Sequence, residues 1–146
     1  LEPSIKRLDV MPEAGGSTVY ADTGLRGLVP LVVCGEGVVR LFSIAVELTA
    51  VRGGALLIDE LDNGLHHSIL QTFWGKLSAL AHQHDVQIFA TTHNDELIRS
   101  ALDAFGDDYT DLVLFRLDRR DTGVKAVRYP EGALRGVADA GFEVRG

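Results

Sequence analysis

Leu56-Leu57-Ile58-Asp59-Glu60 is a short apolar run that stops on two acids, and Ile88-Phe89-Ala90-Thr91-Thr92-His93 repeats the pattern further along. Each reads as a buried parallel strand whose carboxyl end feeds a site. In open α/β sheets ligands sit just outside such strand ends. An Asp-Glu pair at one end and Thr-Thr-His at the next bring two carboxylates and an imidazole to one edge. That set suits a nucleotide, its magnesium ion and an attacking water.

The elements around these strands follow from spacing. Residues 1–33 read as short strands and turns, with a turn at Gly15-Gly16-Ser17 and a strand candidate at Thr18-Val19-Tyr20. Gly35-Glu36-Gly37 opens a helix whose apolar face carries Val38, Leu41, Phe42, Ala45 and Leu48. Gly53-Gly54 ends it, and Ala55–Ile58 is the first strand of the pair. A second helix is expected over 66–83, where Leu70, Phe73, Trp74, Leu77, Leu80 and Ala81 recur at helical spacing. Val86–Ala90 is the next strand. Leu97, Ile98, Ala101, Leu102 and Phe105 mark a third helix, capped at Asn94 or Asp95. Leu112–Leu117 and Val124–Tyr129 flank Asp121-Thr122-Gly123 as a strand pair. Glu131–Ala140 reads as a short last helix.

At 146 residues the chain has the size of one domain, and 46% hydrophobic content supports a sizeable core. No apolar stretch approaches the roughly 18 residues that span a bilayer, and no secretory leader pattern opens the chain. No membrane partner is expected. The start at Leu1-Glu2-Pro3 reads as a fragment of a longer protein. The single Cys34 excludes an internal disulfide framework and fits a reducing cytoplasm.

The net charge of −7 is uneven: residues 53–110 hold nine acids against Lys76 and Arg99 alone. Such a segment repels bare phosphates unless a cation or a basic loop intervenes. It also argues against strong nucleic-acid binding by this segment by itself.

Each candidate residue has a chemical role and a plainer alternative. An acid pair after a strand can merely cap the next turn. The apolar residues directly before Asp59 and Glu60 favour a site, since a buried strand seldom ends in two charges without a partner. Asp59 is the candidate to hold magnesium through its water shell. Glu60 is the candidate to orient and polarise water. His93 can donate to a phosphate oxygen or position water. Gly35-Glu36-Gly37 offers backbone N–H groups at a helix start for an anion, although glycines there can serve the turn alone. Asp62-Asn63-Gly64-Leu65-His66-His67 lacks the spacing of a zinc site, since neighbouring histidines point different ways on a helix start. Trp74 and Cys34 read as core. No Gly-x-x-x-x-Gly-Lys-Ser/Thr loop occurs, and Gly75-Lys76 lies inside a helix.

Taken together, these pieces resemble the C-terminal half of an ABC-type ATPase domain. The resemblance is to the bacterial AAA-family ATPases of the OLD (overcoming lysogenization defect) class, relatives of the SMC and DNA-repair ATPase heads. It rests on Gly35-Glu36-Gly37-Val38-Val39-Arg40 as signature, Leu56–Glu60 as Walker B, Asn63-Gly64-Leu65-His66 as D-loop and Thr91-Thr92-His93-Asn94-Asp95-Glu96 as switch region. It covers roughly residues 28–100, and Phe142-Glu143-Val144-Arg145 also looks like a family C-terminus. The signature lacks Leu-Ser-Gly-Gly, and Asn94 stands where many relatives have Ser. No acidic cluster after His93 resembles a TOPRIM nuclease module.

The resemblance implies a P-loop-type parallel sheet flanked by helices, C-terminal half only, with a small terminal strand pair. Residues 1–146 are then a partial ATPase domain whose Walker A segment lies upstream of Leu1. It implies ATP and Mg2+ as cofactors and a head-to-tail homodimer in the ATP state. Asp59 would serve the metal, and Glu60 and His93 the catalysis, on the subunit's own nucleotide. Gly35, Glu36 and Gly37 would meet the opposite subunit's γ-phosphate, with Asn63 and His66 bridging the two sites. An effector protein or DNA is a further implied partner. Two other readings stay open on the residues: a non-catalytic dimerisation module, and a magnesium-dependent phosphodiesterase using Asp59, Glu60, Asp62 and His93.

Overall fold

Two neighbouring strands run parallel because a helix lies between them in sequence: β-strand, crossover helix, β-strand is the unit that allows it. This unit is the centre of the computed structural model, whose described residues are 5–24, 27–106, 109–121, 123–130, 132–134 and 136. The chain opens with β1 (Arg7–Glu13), β2 (Gly16–Asp22) and β3 (Leu28–Pro30), an antiparallel sheet in that order. A 3-10 turn at Leu31–Cys34 reaches Gly35, whose φ of +108° only glycine adopts freely. There α1 (Glu36–Ala50) begins.

Then come β4 (Ala55–Ile58), a 3-10 turn at His67–Ile69, α2 (Leu70–His84), β5 (Gln87–Ala90) and α3 (Asp95–Phe105). The last elements are β6 (Phe115–Arg120) and β7 (Gly123–Arg128), an antiparallel hairpin. The α/β architecture expected from the sequence is present. Parallel pairing is confined to β4 and β5 among the described residues, with Ala55 beside Gln87 and Ile58 beside Ala90.

The main core is built by Ile44 and Leu48 of α1, Leu56 and Ile58 of β4, Leu61, and Leu70, Phe73 and Leu77 of α2, closed by Val86 and Leu97. On α1 the buried residues are Ile44 and Leu48, with half-buried Leu41 and, just past the helix, Val51 packed against the core. Ile44 was absent from the expected face, and Phe42 and Ala45 are only half-buried. Trp74 is half-buried beside this core; its Nε1 donates to Leu97 O and Ser100 Oγ, both at 3.1 Å. A smaller cluster holds Leu102, Tyr109 and Leu134, with Leu112, Leu114 and Tyr129 packed on it.

Three expectations are corrected. The strands β4 and β5 are buried on one face only: Leu56 and Ile58 point inward, while Leu57 (77% exposed) and Phe89 (53%) point outward. The α2 helix starts at Leu70 rather than at 66, because His66 is extended and the chain makes a 3-10 turn before the first α-helical residue. The terminal strand begins at Phe115, not Leu112, and continues through Arg120; Leu112 and Leu114 go into the small core instead. The expected last helix at Glu131–Ala140 lies mostly outside the described residues; 132–134 and 136 are helical. The segment Phe142–Arg145 lies outside them too.

Candidate functional site

The β4–β5 register continues past both strands. Thr91 N–H donates to Ile58 O at 3.0 Å, and Leu61 N–H donates to Thr91 O at 2.9 Å. Residues 59–61 and 91 therefore lie side by side at the carboxyl edge, as alternation and parallel pairing require. The Thr91 hydroxyl donates to Asp59 Oδ1 and accepts from Glu60 N–H at 2.9 Å. One residue on, the Thr92 hydroxyl donates to Asp62 Oδ1 at 2.5 Å and accepts from Asn94 N–H at 3.0 Å. Asn94 then caps α3, its side-chain oxygen accepting from Glu96 N–H (2.9 Å) and Leu97 N–H (3.3 Å).

Glu60 is held in the left-handed region at φ +47°. For a non-glycine residue outside a helix cap this is a strained state, of the kind that gathers at functional sites. Its carbonyl accepts from Asn63 N–H at 3.0 Å, and Asn63 Nδ2 lies 3.5 Å from Glu60 Oε2. Arg40, from the second turn of α1, reaches across with Nη2 at 3.5 Å from Asp59 O and 3.4 Å from Glu60 O. Its Nε is buried without a partner among the described residues.

A second cluster forms where α1 starts. A Cβ added at Gly37 would collide with Ile69 Cδ1 and stand 3.7 Å from Gly64 O. Gly64, at φ +77°, lies under Glu36, whose Cβ is 3.5 Å from where a Gly64 Cβ would be. The glycine-rich turn and the Asn63–His66 loop are thus in contact within one chain. Gly35 and Glu36 are exposed at the helix start, which has no side-chain cap.

The expected site residues therefore fall into two groups. Asp59 and Glu60 are tied to Thr91 at the β5 end and Asn63 to Glu60, while Glu36 and Gly37 meet the Gly64 loop and Gly35 stands open beside them. His93 follows Thr92 on the same edge, exposed, and its ring makes no hydrogen bond with the described residues. His66 turns toward its own loop: Nδ1 is 3.0 Å from Ser68 Oγ and 3.4 Å from Ser68 N. Its ring lies 4.0 Å from that of His67, so the two histidines do not diverge as expected.

Asp59 and Glu60 are exposed, and Asp59 Oδ2 accepts no hydrogen bond from the described residues. A carboxylate with one oxygen fixed and one free suits contact with a hydrated magnesium ion through water. No group of three His, Cys, Asp or Glu side chains converges to hold a metal directly among the described residues. The hydroxyls of Thr91 and Thr92 and the reach of Arg40 had no assigned part in the sequence reading. The two hydroxyl side chains at a strand end were a usable signal; the register needed to pair them with carboxylates was not.

The sequence matches, over residues 2–99, a family described as "AAA domain, putative AbiEii toxin, Type IV TA system". No curated protein matches the chain. Seven solved chains resemble the structure. One is described as "Structural biochemistry of ATP-driven dimerization and DNA stimulated activation of SMC ATPases", with a TM-score of 0.57 and 16% identity over 90% of this chain and 78% of that one. At that identity the likeness concerns the fold.

Proposed function

The chain belongs to the AAA-domain family that its residues 2–99 match, and from that premise we propose that it carries the Walker B and signature half of an ATP-hydrolysing site of the OLD-like kind. The observation that carries this reading is the strand-end junction. Asp59 and Glu60 leave β4 directly beside Thr91, with His93 two residues further along the same edge.

The division of labour follows from position. Asp59, pinned through Oδ1, would hold a hydrated Mg2+ through its other oxygen, and the ion would neutralise phosphate charge. Glu60 takes the proton of the water as its oxygen attacks the γ-phosphorus and ADP leaves with the bridging oxygen. His93, exposed at the edge, donates to a γ-phosphate oxygen. The N–H groups of the α1 start, around Gly35, Glu36 and Gly37, serve as an anion contact for the phosphate of a second subunit. Asn63 and His66, on the loop against Gly37, lie at the join between two such sites. The Walker A segment comes from outside this chain, and an effector protein or DNA receives the motion of dimer engagement.

The phosphodiesterase reading needs Asp59 and Asp62 on common ions. The two carboxylates are instead bound to different hydroxyls, those of Thr91 and Thr92. The decisive experiment is Glu60→Gln in the intact protein. Hydrolysis is expected to fall by about 10²–10⁴-fold, the usual worth of a general base, with ATP affinity retained. Unchanged turnover would sink the assignment. Calorimetry of this chain alone with Mg·ATP supplies the complement: tight binding without a Walker A segment would favour a self-contained site.

A further inference from the structure

Every polar group of Thr91 is spent on residues 58–61. Its N–H goes to Ile58 O, its carbonyl receives Leu61 N–H, its hydroxyl proton goes to Asp59 Oδ1, and its hydroxyl oxygen receives Glu60 N–H. A hydroxyl has one proton to give and two lone pairs to receive with. Here the proton and one lone pair serve consecutive residues that the ATPase reading places in different roles.

We propose that Thr91 is a positioning residue: one hydroxyl on β5 fixes the metal-facing carboxylate of Asp59 and the backbone of Glu60 together. The inference rests on the ATPase reading above and extends it to a residue outside the catalytic set. The backbone at Glu60 is left-handed, a state that costs free energy for any residue but glycine and persists only when its surroundings hold it. Two of the holding bonds run from Glu60 N–H to the Thr91 hydroxyl oxygen and from Asn63 N–H to Glu60 O. With Oδ1 of Asp59 occupied by Thr91, Oδ2 is the oxygen that would face a metal's water. Because the one Thr91 hydroxyl bonds both residues, a displacement of the β5 end shifts both acids together.

The test compares Thr91→Val, which keeps the shape and removes the hydroxyl, with Thr91→Ser, which keeps the hydroxyl and removes the methyl. Both are made in the intact protein. Three quantities are read: the Mg2+ concentration at half-maximal hydrolysis, Mn2+ bound with ADP by electron paramagnetic resonance, and unfolding in a double-mutant cycle of Thr91→Val with Asp59→Ala.

Thr91→Val is expected to raise the metal midpoint about 10–100-fold, the usual effect of losing a partner that orients a metal ligand. Thr91→Ser should restore most of it, and the cycle should be non-additive. A wild-type metal midpoint in Thr91→Val, a serine variant no better than valine, or an additive cycle each overturns the proposal. A wild-type protein that neither hydrolyses ATP nor binds Mn2+ with ADP would overturn the ATPase reading, and the proposal's metal role with it. The cycle would still report separately on the contact.

Discussion

The β4–β5 pair and the β6–β7 hairpin are both two-stranded, and they spend their side chains in opposite ways. On β4–β5 one face is sealed by α1 and α2 through Leu56 and Ile58, and the polar residues past the strand ends bind across to the neighbouring strand. On β6–β7 the side chains that alternate along one face, Phe115, Leu117 and Val124, are exposed. One polar contact there lies within a strand, Arg116 Nε at 2.6 Å from Asp118 Oδ1, and Arg116 also bonds to the Tyr129 side chain just past the end of β7. A strand pair becomes a platform for chemistry when a packed core fixes its register and its polar residues are tied between strands. The hairpin has a ladder, but the apolar residues on this face stay exposed to solvent.

The sharpest way to break this comparison is to remove equal amounts of side chain from each pair. Ile58 is 7% exposed and Leu117 64%. Ile58→Ala should cost about 2–5 kcal/mol, since it opens a cavity beneath Asp59. Leu117→Ala should stay within about 0.5 kcal/mol. Urea unfolding of both variants decides it; similar losses would mean that the hairpin face is packed in the native protein and the contrast false.

Next in size is the cap that joins the site edge to α3. Asn94→Ala removes the acceptor for Glu96 and Leu97 N–H and should cost about 1 kcal/mol, whereas Asn94→Asp should keep most of it. The same unfolding measurement applies, with amide exchange of the first turn of α3 as a local readout. Equal stability of the alanine variant would show that the cap seen here carries no weight.

These residues also show how far a sequence carries. The Asn94 cap, the apolar faces of α2 and α3 and the acid pair at the end of β4 were all legible, because each depends on spacing over a few residues. The open face of β4–β5 was not. Leu56-Leu57-Ile58 looks the same whether one or both faces are covered, and coverage is decided by elements distant in sequence. The part played by Thr91 was hidden for a related reason: its hydroxyl meets Asp59 only because Ile58 pairs with Ala90. The Phe115 start of β6 was missed because the apolar Leu112 and Leu114 drew the strand upstream. They pack beside Tyr109, while charged Asp118–Arg120 continue the ladder.

A smaller effect is expected at Glu60 itself. Its left-handed backbone costs roughly 1–2 kcal/mol for a residue with a Cβ, against about 0.5–1 kcal/mol of extra chain entropy for glycine. Glu60→Gly should therefore leave the protein as stable as before, or more stable by up to about 1.5 kcal/mol, while hydrolysis is lost. A marked destabilisation would show that the carboxylate, through Asn63 Nδ2, supports the fold rather than the reaction.

The least effect belongs to the hairpin's own charge pair, and it tests the comparison from the other side. The hydrogen bond from Arg116 holds the Asp118 carboxyl below its ordinary value of 3.8, helped by the charges of Arg116, Arg120 and Lys125. A carboxyl depressed in the folded state contributes stability that is present above its unfolded value and lost as the pH falls through its folded one. The loss here belongs to the acid side of 3.8 and should be weakened by salt, as for any exposed pair. Carboxyl-carbon NMR should place the Asp118 midpoint below 3.8, and Arg116→Gln should return it toward that value. If the hairpin is electrically separate from the strand-end site, the amide shifts of Glu60 and Thr91 will not follow that titration. Amide shifts at Thr91 that track Asp118 would instead make the two regions one coupled unit.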